Sequence, residues 1–231
     1  MARRSARKAV GSRPRRRPEQ ASPIQPRRGP PALTLIAVTA LVVATGTVGG
    51  LLLTRGGRPN AAAHGKAIDW SGVPQLQTST PPWPSESSLL SQRLRPSGLD
   101  ALSMEGTVLH HHEHLELFVN RHRVTVPALI GIDERAGFLT ELHTHDPSGI
   151  IHVESPVQRS FTLGQFFCEW GVKLNANCLG RYRGEVAWWV NGRRRHGNPA
   201  LLPLRQHQEI VIAAGRPPTA VPASYDFPAG L

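Results

Sequence analysis

Apolar and polar residues alternate along several short segments in the second half of the chain, and a period of two predicts β-strands. In HLELFVN (residues 114–120), Leu115, Leu117 and Val119 share one face, and the residues between them share the other. RVTVPALIGI follows a short turn at residues 120–122 and is predicted to be its hairpin partner. Three further segments are predicted to be β-structure: the hairpin ELHTHDPSGIIHVES, GEVAWWVNGRRR with its Asn-Gly turn, and PLRQHQEIVIAAG.

One segment between these strands, FTLGQFFCEWG, has a helical pattern. Thr162 is a suitable N-cap, Gln165 stands three residues later as in a capping box, and Gly171 ends the helix. A single helix between two groups of strands favours one sheet curled across it. We therefore expect an α+β fold, a β-grasp-like mixed sheet with one short helix. The alternative is a small β-sandwich that carries one helical turn.

The first 98 residues have a different character from this domain. Residues 32–53 contain no charge and no proline, and a helix of 22 residues spans about 33 Å, enough for a hydrocarbon core of roughly 30 Å. We predict an uncleaved transmembrane signal-anchor here, although AAAHG at 61–65 leaves cleavage open. Residues 54–98 are rich in Gly, Pro and Ser and are predicted to be a stalk. The globular domain is expected to span residues 99–231.

The positive charge is concentrated at the N-terminus. The net charge is +11, but residues 1–30 hold ten Arg and Lys and one acid, whereas the rest of the chain has 17 basic and 15 acidic residues. Residues 1–31 are therefore expected to be a disordered cytoplasmic tail, since positive residues stay on the cytoplasmic side of a membrane. The domain is then extracytoplasmic, attached to the cell membrane by one span. Partners would be the membrane and an envelope protein, and we expect no nucleic acid.

Histidines are unevenly distributed, and their spacing suggests a site. Eight of the eleven lie between residues 110 and 152. Side chains two apart on a strand point the same way. Three sets of neighbours should therefore share faces: His110, His112 and His114; His143 and His145; His152 and Glu154.

Whether the second hairpin joins its histidines depends on its register. If residues 146–149 close a four-residue turn, His143 lies opposite His152, and Glu141, His145 and Glu154 share their face. The same four residues also suit a type I turn with a G1 bulge, which puts His152 opposite Thr144 and reverses the faces. We prefer the first register because it separates apolar from polar residues.

In that register the imidazoles can meet one ion. We predict a metal site with His143, His145 and His152 as its core ligands. The neighbouring groups that would complete it are His112, His114 and Glu154. Nitrogen and oxygen donors without thiolate suit Zn or Cu(II). Asp146 and Glu154 are alternatively acceptors for ring N–H groups.

Two other functions compete with this prediction. The first is a non-catalytic protein-interaction module of the envelope, in which a hydrogen-bonded His/Glu network needs no metal. The second is a metal-dependent enzyme, which requires an acid/base residue such as Glu141 or Glu154. The enzyme is the less favoured of the two: HExxH and other catalytic motifs are absent, and we assign no catalytic residue.

The two cysteines are ten residues apart, at Cys168 and Cys178. Outside the cytoplasm a disulfide is permitted, and this separation allows one, so we expect them to be bonded. Two free buried thiols are the alternative.

The motifs EGT, HHHEHLELFVN, LHTHDPSGIIHVESP and FTLGQFFCEWG together resemble a recurring extracytoplasmic domain of bacterial, particularly actinobacterial, proteins. In that family the domain often follows an N-terminal membrane segment. The resemblance covers about residues 99–231. The resemblance implies an extracytoplasmic domain attached to the membrane. It implies no activity and assigns no catalytic residues. The paired cysteines depart from the family, so the resemblance does not imply the disulfide.

Overall fold

The computed structural model describes residues 67–231, and this part of the chain contains two α-helices and twelve β-strands. The helices are α1 (Leu90–Ser97) and α2 (Leu163–Trp170). The strands are β1 (Leu109–Val119), β2 (His122–Val124), β3 (Ile132–Asp133), β4 (Phe138–Leu139), β5 (Leu142–His143), β6 (Ile150–Ser155), β7 (Leu174–Asn175), β8 (Cys178–Leu179), β9 (Tyr182–Arg183), β10 (Val186–Val190), β11 (Arg193–Arg195) and β12 (Glu209–Ala214). Short 3-10 helices span Ser87–Leu89 and Pro199–Leu201.

Seven strands form one mixed sheet in the order β11-β10-β12-β1-β6-β5, with β2 paired to β1. β1 lies at the centre, parallel to β12 and antiparallel to β6 and β2. β6 and β2 share one edge of β1, since β6 pairs with its first half and β2 with its last three residues. The other strands form the β3–β4 hairpin and a β7-β8-β9 sheet. The predicted α+β class is therefore confirmed, with α2 between β6 and β10 along the chain.

The sheet has two different faces. On the inner face, Leu115, Leu117 and Val119 of β1 belong to the main core together with the side chains of α2. Four apolar side chains of that helix are fully buried: Leu163, Phe166, Phe167 and Trp170. The outer face carries a smaller apolar cluster around Phe118 and Val211. The alternation seen in HLELFVN therefore separates the two faces as predicted.

Local signals in the sequence account for the ends of α2 and for two turns. The Thr162 N–H donates to Gln165 Oε1 at 2.9 Å as in the predicted capping box, and Gly171 ends the helix with a φ of 77°. Residues 120–121 both have positive φ, as do residues 191–192. Two consecutive residues of this kind form the type I′ turn that suits the twist of a two-stranded hairpin.

The packed part of the chain extends further toward the N-terminus than the expected start at Leu99. Trp83 is 1% exposed, its ring meets the Trp170 ring edge to face at 6.0 Å, and Leu90 of α1 is also buried. Trp170 Nε1–H donates to the backbone oxygen of Pro84. The Pro-rich composition of this segment predicted a stalk and gave no indication of these contacts. Trp83 and Pro84 lie in a stretch without regular secondary structure, which shows no periodicity even where it packs.

Residues 1–66 lie outside the described part of the chain, and with them the predicted tail, the predicted span and the first residues of the predicted stalk. Neither helix within residues 67–231 has the length and apolar character needed to cross a membrane.

Candidate metal centre

Three adjacent strands bring histidines together on the outer face. His112 of β1 is paired with His152 of β6, and His152 is paired with His143 of β5, so the three residues form one row across the sheet. In the next row His110 lies opposite Glu154. The preferred register of the hairpin is confirmed, and the bulged alternative with His152 opposite Thr144 is excluded.

Burial of apolar residues enforces this register. Leu142, Ile151 and Val153 are completely buried in the core on the inner face. Because strand side chains alternate, His143 and His152 must then lie on the outer face. A slip of one residue would expose the three apolar side chains and bury the polar ones against the core.

Five imidazole rings converge on this face, and we call them the histidine cluster: His110, His112, His143, His145 and His152. Their neighbouring ring centroids are 4.5–5.3 Å apart. His145 lies just beyond β5, and its ring reaches back to contact both His143 and His152. The convergence joins side chains that are up to 42 residues apart in the sequence.

Three groups of donors in and beside the cluster are spaced closely enough to hold a metal ion. One consists of His143, His145 and His152, and another of His110, His112 and Glu154. The third takes one residue from each of these and adds Glu105: it consists of Glu105, His143 and Glu154. Within each group the ligand atoms lie within 4.8 Å of one another. Donors that share one tetrahedral ion, with bonds near 2 Å, are about 3.3 Å apart. The Nε2 of His110 lies 3.2 Å from Nε2 of His112 and 3.3 Å from Oε1 of Glu154.

His143 is prepared to act as a ligand. Its Nδ1–H donates to the backbone oxygen of Thr140 at 3.0 Å, which leaves the Nε2 lone pair available. This Nε2 is buried without a hydrogen-bond partner in the described structure, 3.9 Å from the equally unpartnered Oε2 of Glu154. Two atoms that carry lone pairs thus face each other, and a cation between them would satisfy both.

The protonation states suit metal binding. Burial lowers the pKa of His143 to about 4. The pKa of His112 is also lowered to about 4. Burial is the largest cause, and the neighbouring rings of His152 and His110 add to it. Burial acts to raise the pKa of Glu154, but the hydrogen bond from His152 and the neighbouring rings outweigh it and hold that pKa below its ordinary value. At neutral pH the site therefore offers the neutral imidazoles of His143 and His112 and the ionised carboxylate of Glu154.

The centre is open to solvent on one side. The side chains of His110 and His145 are 52% and 44% exposed, whereas His143 is fully buried. Glu105 lies at this opening, with its Oε1 3.4 Å from Nε2 of His145. Glu105 could not be identified from the sequence, because it belongs to a loop with no periodic signal. The sequence analysis places His110 on the correct face without including it among the ligands, and its spacing of two residues from His112 is a signal that supports including it.

His114, which we predicted to join the site, has other partners. Its Nδ1 is hydrogen-bonded to Glu209 at 2.6 Å and its Nε2 to the backbone oxygen of Ser148 at 3.1 Å. The ring of Tyr225 stacks on it at 3.7 Å. Both ring nitrogens are therefore occupied, although His114 has Glu209 and Glu116 as neighbouring donors in a separate group.

The other polar residues of the hairpin serve the local structure. Asp146 accepts from the backbone N–H of Ser148 and thereby stabilises the turn. Glu141 pairs with Arg159 and accepts from the backbone N–H of Asp100. These contacts give Glu141 a structural role that its position on the strand did not reveal.

The expected disulfide is contradicted by the structure, in which Cys168 and Cys178 are free buried thiols. Cys168 lies in α2, where burial raises the pKa of its thiol to about 12. Cys178 opens β8, where its thiol donates to the backbone oxygen of Gly180 and accepts from Arg183. The two sulfurs thus lie in separate surroundings, and a separation of ten residues in the sequence was not sufficient evidence for a bond between them.

Comparison with family models, curated proteins and solved structures finds no match to this chain. The interpretation of the site therefore depends on its own geometry, and the resemblance to an actinobacterial family stays a prediction.

Proposed function

We propose that this protein binds a divalent transition metal through the histidine cluster, as the extracytoplasmic domain of a single-pass membrane protein. The observation that carries the proposal is the convergence of donor atoms from His143, His145 and His152 within 4.8 Å. Imidazoles with a carboxylate and no thiolate favour Zn or Cu(II). The basic tail and the uncharged segment at residues 32–53 support the membrane location.

The strand order supports a β-grasp-like fold as part of the same proposal. An antiparallel pair (β1 and β6) is followed by α2, then by a second pair (β10 and β11), and the last strand returns parallel to β1 at the centre. In this arrangement the helix covers the inner face. The outer face is left available for a metal site.

A hydrogen-bonded network without metal is the competing function. In its favour, His152 Nδ1 lies 3.2 Å from Oε1 of Glu154, and His110 lies within hydrogen-bonding distance of His112. Such a network leaves Nε2 of His143 and Oε2 of Glu154 buried and unpartnered. A buried polar atom without a partner costs about 1–3 kcal/mol. A bound cation removes that cost, which favours metal binding.

The test is metal uptake by the full chain, purified in detergent without a polyhistidine tag. After equilibration with Zn(II) or Cu(II) and dialysis, elemental analysis should find metal bound to the wild-type protein. The triple variant His143→Ala, His145→Ala, His152→Ala should bind no more than half as much. The control variant His122→Ala, His196→Ala removes two exposed histidines outside the cluster and should bind as the wild type does. Equal metal in the triple variant and the wild type would refute the proposal.

A further inference from the structure

We propose that this centre holds two metal ions side by side, an inference that rests on the proposed function. The first ion takes the imidazoles of His143, His145 and His152. The second takes the other group of donors, His110, His112 and Glu154. The carboxylate of Glu154 lies between the two ions.

The number of donors favours two ions. The two groups share no residue, and together they offer six donors. A single tetrahedral ion would use four of them and leave two without a role. Three protein donors with one open position, in contrast, are a common arrangement for a zinc ion that exchanges ligands with solvent. Each group provides such a set.

The spacing within the second group matches coordination to one ion. Nε2 of His110 lies 3.2 Å from Nε2 of His112 and 3.3 Å from Oε1 of Glu154, close to the edge of about 3.3 Å expected for a tetrahedral site. A hydrogen bond between the two rings would use the first of these contacts. Nδ1 of His112 is buried without a partner, whether Nε2 of this ring meets an ion or the neighbouring ring.

Glu154 connects the two groups. Its Oε1 lies 3.3 Å from Nε2 of His110 and 3.2 Å from Nδ1 of His152, while its Oε2 is unpartnered and faces Nε2 of His143 at 3.9 Å. The carboxylate thus contacts members of both groups, as a bridging carboxylate would. The rings of His112 and His152, one from each group, are in contact at 4.5 Å. The groups are therefore adjacent, as is usual in two-metal sites with ions about 3.5–4 Å apart.

Each group also contains one half-exposed imidazole, His145 in the first and His110 in the second. Both ions would therefore reach solvent and could take water or a small anion in the open position. Two divalent ions beside one buried carboxylate leave a net positive charge, which favours an anionic ligand such as hydroxide.

The test counts ions in the full chain with one member of each group removed. The variants are His145→Ala and His110→Ala, since half-exposed side chains can be truncated with little effect on the core; thermal unfolding of both variants verifies folding. With Cu(II) alone as the probe, the wild type and the control His122→Ala should bind two ions per chain. Each single variant should retain one, and the double variant none.

Electron paramagnetic resonance on the Cu(II)-loaded chain gives an independent measurement. Two adjacent Cu(II) ions should couple, so the wild type should show a half-field signal that both single variants lack. One ion per wild-type chain, abolished by either variant, would overturn the two-ion inference and leave the proposed function standing. No bound ion in the wild type would overturn both.

Discussion

At the level of single residues, complete burial keeps Glu169 protonated, and the contacts of the Thr140 hydroxyl are consistent with this state. Thr140 Oγ1 lies 2.7 Å from the backbone oxygen of Leu142 and 2.6 Å from Oε2 of Glu169. A carbonyl oxygen only accepts, so the single hydroxyl proton goes to Leu142 and the carboxyl of Glu169 must donate to Thr140. Complete burial agrees with this, because it raises the pKa of Glu169 well above its ordinary value. A neutral Glu169 thus joins α2 to the residue whose backbone oxygen orients His143.

We predict that Glu169→Gln changes the pH dependence of stability. Because the folded-state pKa of Glu169 is raised, the unfolded chain releases this proton at lower pH than the folded chain does. Above about pH 4.3 the wild type therefore loses stability, by up to about 1.4 kcal/mol per pH unit, until the folded pKa is reached. Glutamine keeps a donor and cannot ionise. Urea unfolding with chelator present should show the variant gaining stability relative to the wild type from pH 5 to pH 8.

The control for this experiment is Glu134→Gln, which changes an exposed carboxylate. The free energy of unfolding of this variant should change with pH as that of the wild type does, from pH 5 to pH 8. If Glu169→Gln and the wild type run parallel from pH 5 to pH 8, then Glu169 is not protonated in the folded protein.

At the level of elements, Arg93 holds α1 against the end of α2. Its side chain is completely buried, and its guanidinium donates to the backbone oxygens of Glu169 and Trp170 and to that of Gln75. It also pairs with Glu86 at 3.3 Å. The last carbonyls of a helix lack partners within the helix and carry partial negative charge, so a cation is favourable there.

We expect Arg93→Met to lower the free energy of unfolding by about 3–5 kcal/mol, because it leaves several buried carbonyl oxygens without a donor. Arg95→Met, on the exposed side of the same helix, should change it by less than about 0.5 kcal/mol. Chemical denaturation of both variants measures the difference. Similar small losses for the two would mean that the segment before Leu99 contributes little to the fold.

Gly131 allows the β3–β4 hairpin to approach β5 closely, because it has no side chain. A Cβ at Gly131 would lie 2.1 Å from the backbone oxygen of Leu142, whereas a Cβ at Gly137 would meet nothing within 4 Å. Both glycines have nearly the same φ, 72° and 73°. Gly137→Ala should therefore lower the free energy of unfolding by only about 1–2 kcal/mol, because alanine is strained in the left-handed backbone conformation.

Gly131→Ala should lower the free energy of unfolding by several kcal/mol more, because β5 must move to make room for the methyl group. It should also weaken metal binding, because His143 moves with β5. Denaturation and metal titration measure the two effects. Equal losses in the two variants would show that the contact with Leu142 is easily relieved.

At the level of the whole molecule, the outer face is divided between two uses. The C-terminal segment packs on one part of it, with Tyr225 stacked on His114 and Phe227 stacked on His207. The histidine cluster occupies the part formed by β1, β6 and β5. A metal ion bound there would cross-link strands that are distant in sequence, and so binding and folding should be coupled.

We predict that metal binding stabilises the folded chain. At a free Zn(II) concentration 100 times the dissociation constant, one site adds about 2.7 kcal/mol to the free energy of unfolding, which corresponds to roughly 5–10 °C in melting temperature. Differential scanning calorimetry with and without chelator measures the shift, and His145→Ala should reduce it. A melting temperature unaffected by Zn(II) would contradict the coupling.

Local features of the fold were readable from the sequence because they depend on neighbouring residues. The capping box of Thr162 and Gln165 begins α2, the Asn-Gly turn closes β10 and β11, and the alternation around Leu115 assigns the two faces of β1. The choice of register, with His143 opposite His152, also followed from alternation, because only that register buries the apolar residues. Alternation alone is therefore enough to predict the centre of the candidate site.

Tertiary packing decided the rest. Alternation places His110 and His114 on the same face, but it does not say which strands lie beside them. β12 brings Glu209 to His114, and β6 brings Glu154 to His110, so one ring is satisfied by hydrogen bonds and the other joins the cluster. Trp83 and the two separate thiols depended in the same way on contacts between distant segments. Sequence periodicity determines the face on which a side chain lies, whereas the partner it meets there is determined by how the strands assemble.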